Sequence, residues 1–348
     1  MRASTATVAS PTPKPTANRT SVDVNRSANP CDGALAQWCE RWQFHPDGES
    51  TIVAVAFSGG ADSTAVLLAA HRRWPGRVVA LHIHHGLQVA ADDFVRHVRQ
   101  VCGQLGVELL VEHVQAHAGP GESPEDAARR ARYAALSRMA SAASVSCVLL
   151  GQHADDQAET VVLALSRGSG LPGMAGMSER FVREGASFGR PVLAVPGSAL
   201  RSWLDEAGQT YVDDPTNADE RFTRNRIRGR LMPAWAEVAP GYCEALARSA
   251  RHAAQAQALL DELADLDLAH LGCPPRIREL QSLNRNRQGN ALRRWLKQGW
   301  GVAPSEVQLR ELLHQVGACR TRGHRIDLKI ANGRITREGD RLDYAPPI

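Results

Sequence analysis

The chain has 348 residues, enough for two domains with cores of their own, and its 43% hydrophobic and 22% charged content is that of an ordinary soluble protein. The formal net charge of +4 permits a polyanionic partner without demanding one. Seven scattered cysteines without a C-x-x-C argue against zinc and iron–sulfur sites and suit a reducing cytoplasm; no apolar run reaches membrane-spanning length, and no signal-peptide core is present.

Residues 1–30 are rich in Ser, Thr, Pro, Ala and Asn and bury too little surface to offset ordering entropy, so a disordered tail is expected. From Cys31 apolar spacing returns. Thr51 to Phe57 (TIVAVAF) reads as a strand and Asp62 to Arg73 as a helix, with Ser58-Gly59-Gly60-Ala61-Asp62-Ser63 between them. Strand, glycine turn and helix in that order make an anion cradle from backbone N–H groups and the helix N-terminus. No Gly-Lys-[Ser/Thr] follows, so this is not a Walker A loop; the side-chain donors are the hydroxyls of Ser58 and Ser63.

Further strands are expected at Val78–His85, Val107–Val114, Ser146–Gly151 and Pro191–Val195, and helices at Asp92–Gln104, Ser123–Ala143, Asp155–Arg167 and around Trp203 and Leu204. Apolar strands alternating with amphipathic helices predict an α/β fold, a doubly wound parallel sheet with ligands at the carboxyl ends of its strands. Those ends carry Ser58, His84 and the segment His153 to Asp156. His82, His84 and His85 lack a carboxylate or thiol to complete a metal set, and His84 is expected to face the nucleotide. The stretch Arg167–Gly189, with six glycines and no clear period, reads as a long loop that either closes over a substrate or is a plain surface excursion.

Asp156 and Glu159, three apart on a helix start, share one face. They either complement the helix dipole or hold a cation, Mg²⁺ or an ammonium group, beside the phosphate cradle. Ser123, Pro124 and the acids after them are a complete helix start. Glu125, Arg129 and Arg132 then form a stripe that is either a solvated salt-bridged face or a phosphate contact. Five arginines, at 221, 224, 226, 228 and 230, crowd an Arg-rich linker over 216–235, where phosphate-backbone binding is the natural reading. The catalytic domain is placed at 31–215 and a mostly helical second domain at 236–348. The second domain has helices at Gly241–Leu271 and Ala291–Trp300, a third capped by Ser305 and Gln308, and a terminal hairpin turning at Asn332-Gly333.

The hexapeptide at Ser58–Ser63 resembles the SGGxDS signature of the PP-loop ATP pyrophosphatases. With VAFSGGADS, HIHHGL, ExxARxxRY from Glu125 to Tyr133, HADDQAET, and DDPTN followed by RNRIR and LMP, the chain resembles the tRNA(Ile)-lysidine synthases from Ile52 through Pro233. Ser123 stands where that family usually has Asn, an equivalent cap. The C-terminal part is similar to the family's first C-terminal domain, and the extra terminal domain of longer members is not expected.

The resemblance implies a ligase that activates O2 of the wobble cytidine of tRNA(Ile), anticodon CAU, with ATP, then joins free L-lysine to C2, releasing AMP. It implies ATP binding by Ser58, Gly59, Gly60, Ala61, Asp62, Ser63 and His84, with Asp62 near Mg²⁺. Lysine recognition falls to Asp156 and Glu159. Arg129, Arg132, Arg224, Arg226 and Arg228 are implied for tRNA; Asp62, Asp156, Glu159 and Arg224 are the catalytic set. A homodimer would let one tRNA span two subunits. TRNA thiolation and small-molecule amide ligation are the alternatives with the same loop; the first generally needs a cysteine pair, and Cys102 and Cys147 stand alone.

Overall fold

A computed structural model describes residues 28–46, 51–84, 90–115, 124–213, 219–321 and 323–347. The expected tail, His85, Ser123 and residues 214–217 of the DDPTN motif fall wholly or mostly outside the described residues. The chain divides into two compact units, one through Ala250 and one from Arg251.

The first unit is built on β1 (Ile52–Ala56), β2 (Val78–His84), β3 (Glu108–His113), β4 (Val145–Leu149), β5 (Arg180–Arg183) and β6 (Ala186–Gly189), in the order β3-β2-β1-β4-β6-β5. All pairings are parallel except β5 with β6. In β1, Val53 and Val55 pack on one face against α1 (Pro30–Arg41), α2 (Ala61–Arg73), α3 (Ala90–Leu105) and α7 (Gly197–Glu206). Ala54 turns to the other face, toward Tyr133, Leu136 and Met139 of α4 (Pro124–Ala142). The strand is buried on both faces, which is why it reads as an unbroken apolar run. After β3 the chain returns to the far side of β1, so β1 and β4 part at their carboxyl ends and open a cleft at that switch point.

Two expectations fail here. Pro191–Val195 is a turn, and the strand that extends the sheet is β6, inside the stretch read as loop. The β5–β6 hairpin turns at Glu184-Gly185, both with positive φ (49° and 78°), a primed turn without the usual Asn or Asp before the glycine. Each strand has four residues, too short for a visible alternation. The arginine run is also helical: α8 (Thr223–Arg226), a π-helical turn (Ile227–Leu231) and α9 (Met232–Val238) follow one another within the first unit. The wide turn precedes Pro233, which has no N–H to give to a regular helical ladder.

Helix α5 (Ala154–Ser166) follows β4, the short α6 (Leu171–Met174) follows α5, and α10 (Tyr242–Leu271) runs across the division between the units. The second unit continues with α11 (Ile277–Ser282), α12 (Arg285–Trp300), α13 (Glu306–Ala318) and an antiparallel sheet of β7 (Asp327–Ile330), β8 (Gly333–Glu338) and β9 (Arg341–Ala345). Leu292, Trp295, Leu312, Ile330, Ile335 and Leu342 meet in its core. Arg294 bridges Asp261 and Asp265 of α10 at 2.9 and 2.6 Å, and Arg287 pairs with Asp267. The Ser305–Gln308 capping box is present.

The hairpin turn sits one residue earlier than expected, at Ala331-Asn332, with positive φ at Ala331; Gly333 already belongs to β8. Gly333 is needed there because a Cβ would stand 2.4 Å from the Ala345 carbonyl oxygen and 2.4 Å from the Tyr344 hydroxyl. Gly333→Ala must push β9 away, and we expect a loss of about 1–3 kcal/mol in the stability of this unit. Thermal unfolding of the variant checks this; an unchanged midpoint would show that β9 yields freely.

Candidate active site

The cleft at the carboxyl ends of β1, β2 and β4 has a volume of about 890 Å³, within the range of small-molecule sites. Ser58, Gly60, Ala61, Asp62 and Ser63 line it on one side, His82 and His84 on a second, and Gln152, Asp156, Arg224 and Arg228 on a third; Arg132 and Arg201 also reach it.

Hydrogen bonds within the glycine turn hold its shape. Ser63 Oγ donates to the Gly60 carbonyl (3.0 Å) and accepts from the Ser58 amide (3.2 Å); Ser58 Oγ accepts from the Gly60 amide (3.3 Å). Gly59 has φ 88°, and a Cβ there would press on Val98 and His97 at 3.0 and 3.2 Å. Gly60 begins α2 without a side-chain cap, leaving the helix end for an incoming anion. Gly151, just after β4, rests on the first turn of α2: a Cβ would stand 3.0 Å from the Asp62 carbonyl carbon and the Ser63 amide nitrogen. That approach brings α5 beside the phosphate loop.

His153, the residue before α5, is 5% exposed and has three carboxylates around its ring. Nε2 lies 3.5 Å from both Asp62 Oδ2 and Asp156 Oδ2, and Nδ1 lies 3.2 Å from Asp155 Oδ2. Burial alone would lower its pKa, but hydrogen bonds to Asp155 and Asp62 and the charge of Asp156 outweigh that and raise it to about 10. The same bond to His153 holds the Asp155 carboxyl below its usual range against burial, with help from the Gly197 amide at 2.8 Å. The Asp155 amide also points at Nδ1 (3.3 Å), which would need that nitrogen as an acceptor. The surrounding negative charge favours the imidazolium, so Nδ1–H donates to the carboxylate instead.

Glu159 is 1% exposed and lies behind Asp156. Its carboxylate accepts from Arg224 Nε (3.1 Å) and from Arg228 Nε and Nη2 (2.6 and 3.0 Å). Arg228 Nη2 also reaches Asp156 Oδ1 at 3.0 Å, and Arg224 Nη2 reaches Thr160 Oγ1 at 2.6 Å. The two acids and two of the arginines singled out from the sequence therefore face one another. Arg226 is turned away, toward the carbonyls of Glu220 and Arg221, while Arg221 pairs with Asp219 and Arg230 with Glu220. Arg129 and Arg132 lie over the Tyr133 ring, at 5.9 and 5.6 Å, rather than in an ion pair with Glu125.

The His84 ring lies 4.4 Å from that of His113 at a tilt of 45°, and His82 Nδ1 bonds the Phe57 carbonyl at 2.8 Å. Among the described residues no group of three His, Cys, Asp or Glu side chains is placed to hold a metal, and all seven cysteines are free. Asp62 Oδ1 is buried without a partner among the described residues. One such carboxylate together with substrate phosphates is a usual way to hold Mg²⁺. Sequence reasoning gave no role to His153, Gln152 or Arg190. A histidine just before a helix with acids two and three residues on was the visible signal for the first; Arg190 had none.

A switch-point cleft with an uncapped helix end behind a Ser-Gly-Gly turn defines a PP-loop protein, and the PP-loop domain family matches residues 37–235. The TilS substrate binding domain matches residues 276–342. The chain is 57% identical over 319 residues to a tRNA(Ile)-lysidine synthase of Polaromonas naphthalenivorans, covering 92% of this chain and 96% of that one. It is 38% identical over 279 residues to the Burkholderia pseudomallei protein of the same name, covering 78% of this chain but only 57% of that longer relative. The chain belongs to the tRNA(Ile)-lysidine synthase family. A solved U34-tRNA thiolase from Methanococcus maripaludis shares the fold, with a TM-score of 0.51, 13% identity, and coverage of 64% of this chain and 79% of that one.

A group whose pKa rises on folding stabilises the fold below its unfolded value and loses that contribution as pH climbs through the folded value. In metal-free buffer we expect the stabilisation from His153 to be intact below pH 6.5 and to fade toward pH 10. Urea midpoints across that range should fall for the native protein and run flatter for His153→Asn; parallel curves would remove the imidazolium from the node.

Proposed function

We propose that the chain ligates L-lysine to C2 of the wobble cytidine of tRNA(Ile) at the expense of ATP. One juxtaposition carries the reading: the open phosphate loop and the acids of α5 share a cleft and are tied through His153, in a chain of this family. ATP is the substrate of the loop and tRNA the partner of the C-terminal domain.

The first-turn amides of α2 with Ser58 and Ser63 receive the pyrophosphate of ATP, and the adenine side lies toward His84. Asp62 would hold Mg²⁺, which would supply charge neutralisation beside the phosphates. Cytosine O2 attacks the α-phosphate and pyrophosphate leaves, making the oxygen a leaving group. The lysine ε-amine then attacks C2 and AMP departs. Asp156, which lines the cleft, meets the ammonium group; Glu159 backs it and sets Arg224 and Arg228. The amine has an ordinary pKa of about 10.4 and must lose a proton before attack. His153 is already protonated at neutral pH, so it fixes Asp62 and Asp156 rather than taking that proton.

We assign Arg129 and Arg132, unpaired with acids among the described residues, to tRNA phosphates, and Arg224 and Arg228, which line the cleft, to the anticodon loop; Arg226, held by the Glu220 and Arg221 carbonyls, would have to turn to join them. The target base is splayed from its loop, as enzymes that modify bases require. No helix of the described residues is long and apolar enough to cross a membrane. We place the enzyme in the cytoplasm, as a homodimer on its tRNA.

Incorporation of labelled lysine into a tRNA(Ile) transcript, with and without ATP, tests the assignment; no ATP-dependent incorporation sinks it. Asp62→Ala is expected to abolish transfer in a folded protein. Asp156→Asn should raise the KM for lysine about ten-fold or more while leaving ATP affinity alone, the size expected for a lost charge-assisted contact. An unchanged lysine KM would move lysine elsewhere.

A further inference from the structure

Arg190 is 3% exposed, and no carboxylate is among its partners in the described residues. Its Nε–H donates to Gln152 Oε1 at 2.5 Å, its Nη1 to the Ser178 carbonyl at 2.6 Å, and its Nη2 to the Tyr133 hydroxyl at 3.3 Å. The guanidinium lies 4.3 Å from the centre of the Phe181 ring. A buried cation is costly unless its donors are satisfied, so these bonds fix one geometry.

That geometry has a consequence for Gln152. A guanidinium offers donors only, so it dictates which end of the amide faces it. Oε1 is committed to Arg190, and the NH₂ group is left pointing away from it. Gln152 lines the cleft, and Nε2 has no protein partner among the described residues. The residue also sits where the chemistry must occur. It follows Gly151, which rests on the Asp62–Ser63 peptide, and precedes the helix that carries Asp156. One neighbour belongs to the phosphates and the other to the incoming amine.

We propose that Gln152 reads the target base, donating from Nε2 to cytosine N3, and that Arg190 is the positioning residue that holds this donor. The inference rests on the ligase activity proposed above. In the reacting pyrimidine O2 is taken by phosphate and N1 by ribose, so N3 is the ring acceptor left beside C2. Uridine carries a proton on N3 and would set donor against donor. The amide thus separates cytidine from uridine at the position the enzyme modifies, in the way base edges are read elsewhere.

Two tRNA transcripts differing only in the target base, C or U, test it. Lysine incorporation into the C transcript is measured with the U transcript as competitor. The native enzyme should prefer C about ten-fold or more. Gln152→Glu keeps a bond to Arg190 but offers uridine N3–H an acceptor, so the preference should collapse or reverse. Gln152→Met keeps the bulk without either function and should also lose the preference. ATP affinity is the folding control; if Gln152→Glu fails it, Gln152→Met decides. Arg190→Lys, a point charge in place of a fork, should weaken the preference through a higher KM for the C transcript.

A native enzyme indifferent to C and U, or a folded Gln152 variant with the native preference, overturns the assignment. If the native enzyme transfers no lysine to the C transcript, the proposed function itself fails.

Discussion

A buried imidazolium among three carboxylates couples the two chemical halves of this cleft. His153 stands at the start of α5, yet its ring reaches Asp62 on α2 as well as Asp156 on its own helix. An imidazolium removed from water is stable only beside negative charge, and carboxylates this close repel one another unless a cation lies between them. Each side therefore needs the other. The contact locks the spacing between a helix end suited to phosphate and an acid suited to an amine. Gly151 makes it sterically available, because any side chain there would hold β4 and α5 off the first turn of α2.

The charges around this node explain why the acids do not simply repel. Asp62, Asp155, Asp156 and Glu159 are met by His153, Arg224 and Arg228. Among the described residues, four negative groups against three positive ones leave the cluster short of one cation, on the side where Asp62 Oδ1 lacks a partner. Glu159 is wholly enclosed and spends both oxygens on arginines, whereas Asp156 keeps contact with the cleft. Two carboxylates that look equivalent from their spacing thus have different surroundings, one enclosed by arginines and one lining the cleft.

Much of this was legible in the chain because the determinants are local. A β-branched strand, two glycines and a helix start specify the turn at Ser58–Ser63 within a dozen residues, and the long Ala/Leu period of α10 fixes its limits closely. What was hidden depends on partners distant in sequence. Nothing near Arg224 or Arg228 shows that they meet Glu159, 65 and 69 residues away. The β5–β6 hairpin escaped because four-residue strands carry no readable period and Glu184-Gly185 is an uncommon primed turn. Asn332-Gly333 misled by one residue, since that glycine answers to the crowding of β9 rather than to the turn.

The unread hairpin is also what leads the chain to Arg190, the partner of Gln152 in the cleft lining. Phe181 and Phe188 stack at 5.2 Å and pack edge-on against Tyr133, closing the sheet face beneath α4. Arg190, one residue beyond β6, is carried into that aromatic layer and emerges at Gln152 beside β4. An edge strand running against the others therefore does more than lengthen the sheet. It delivers a buried guanidinium to the carboxyl end of β4, where a parallel crossover would have placed a helix instead.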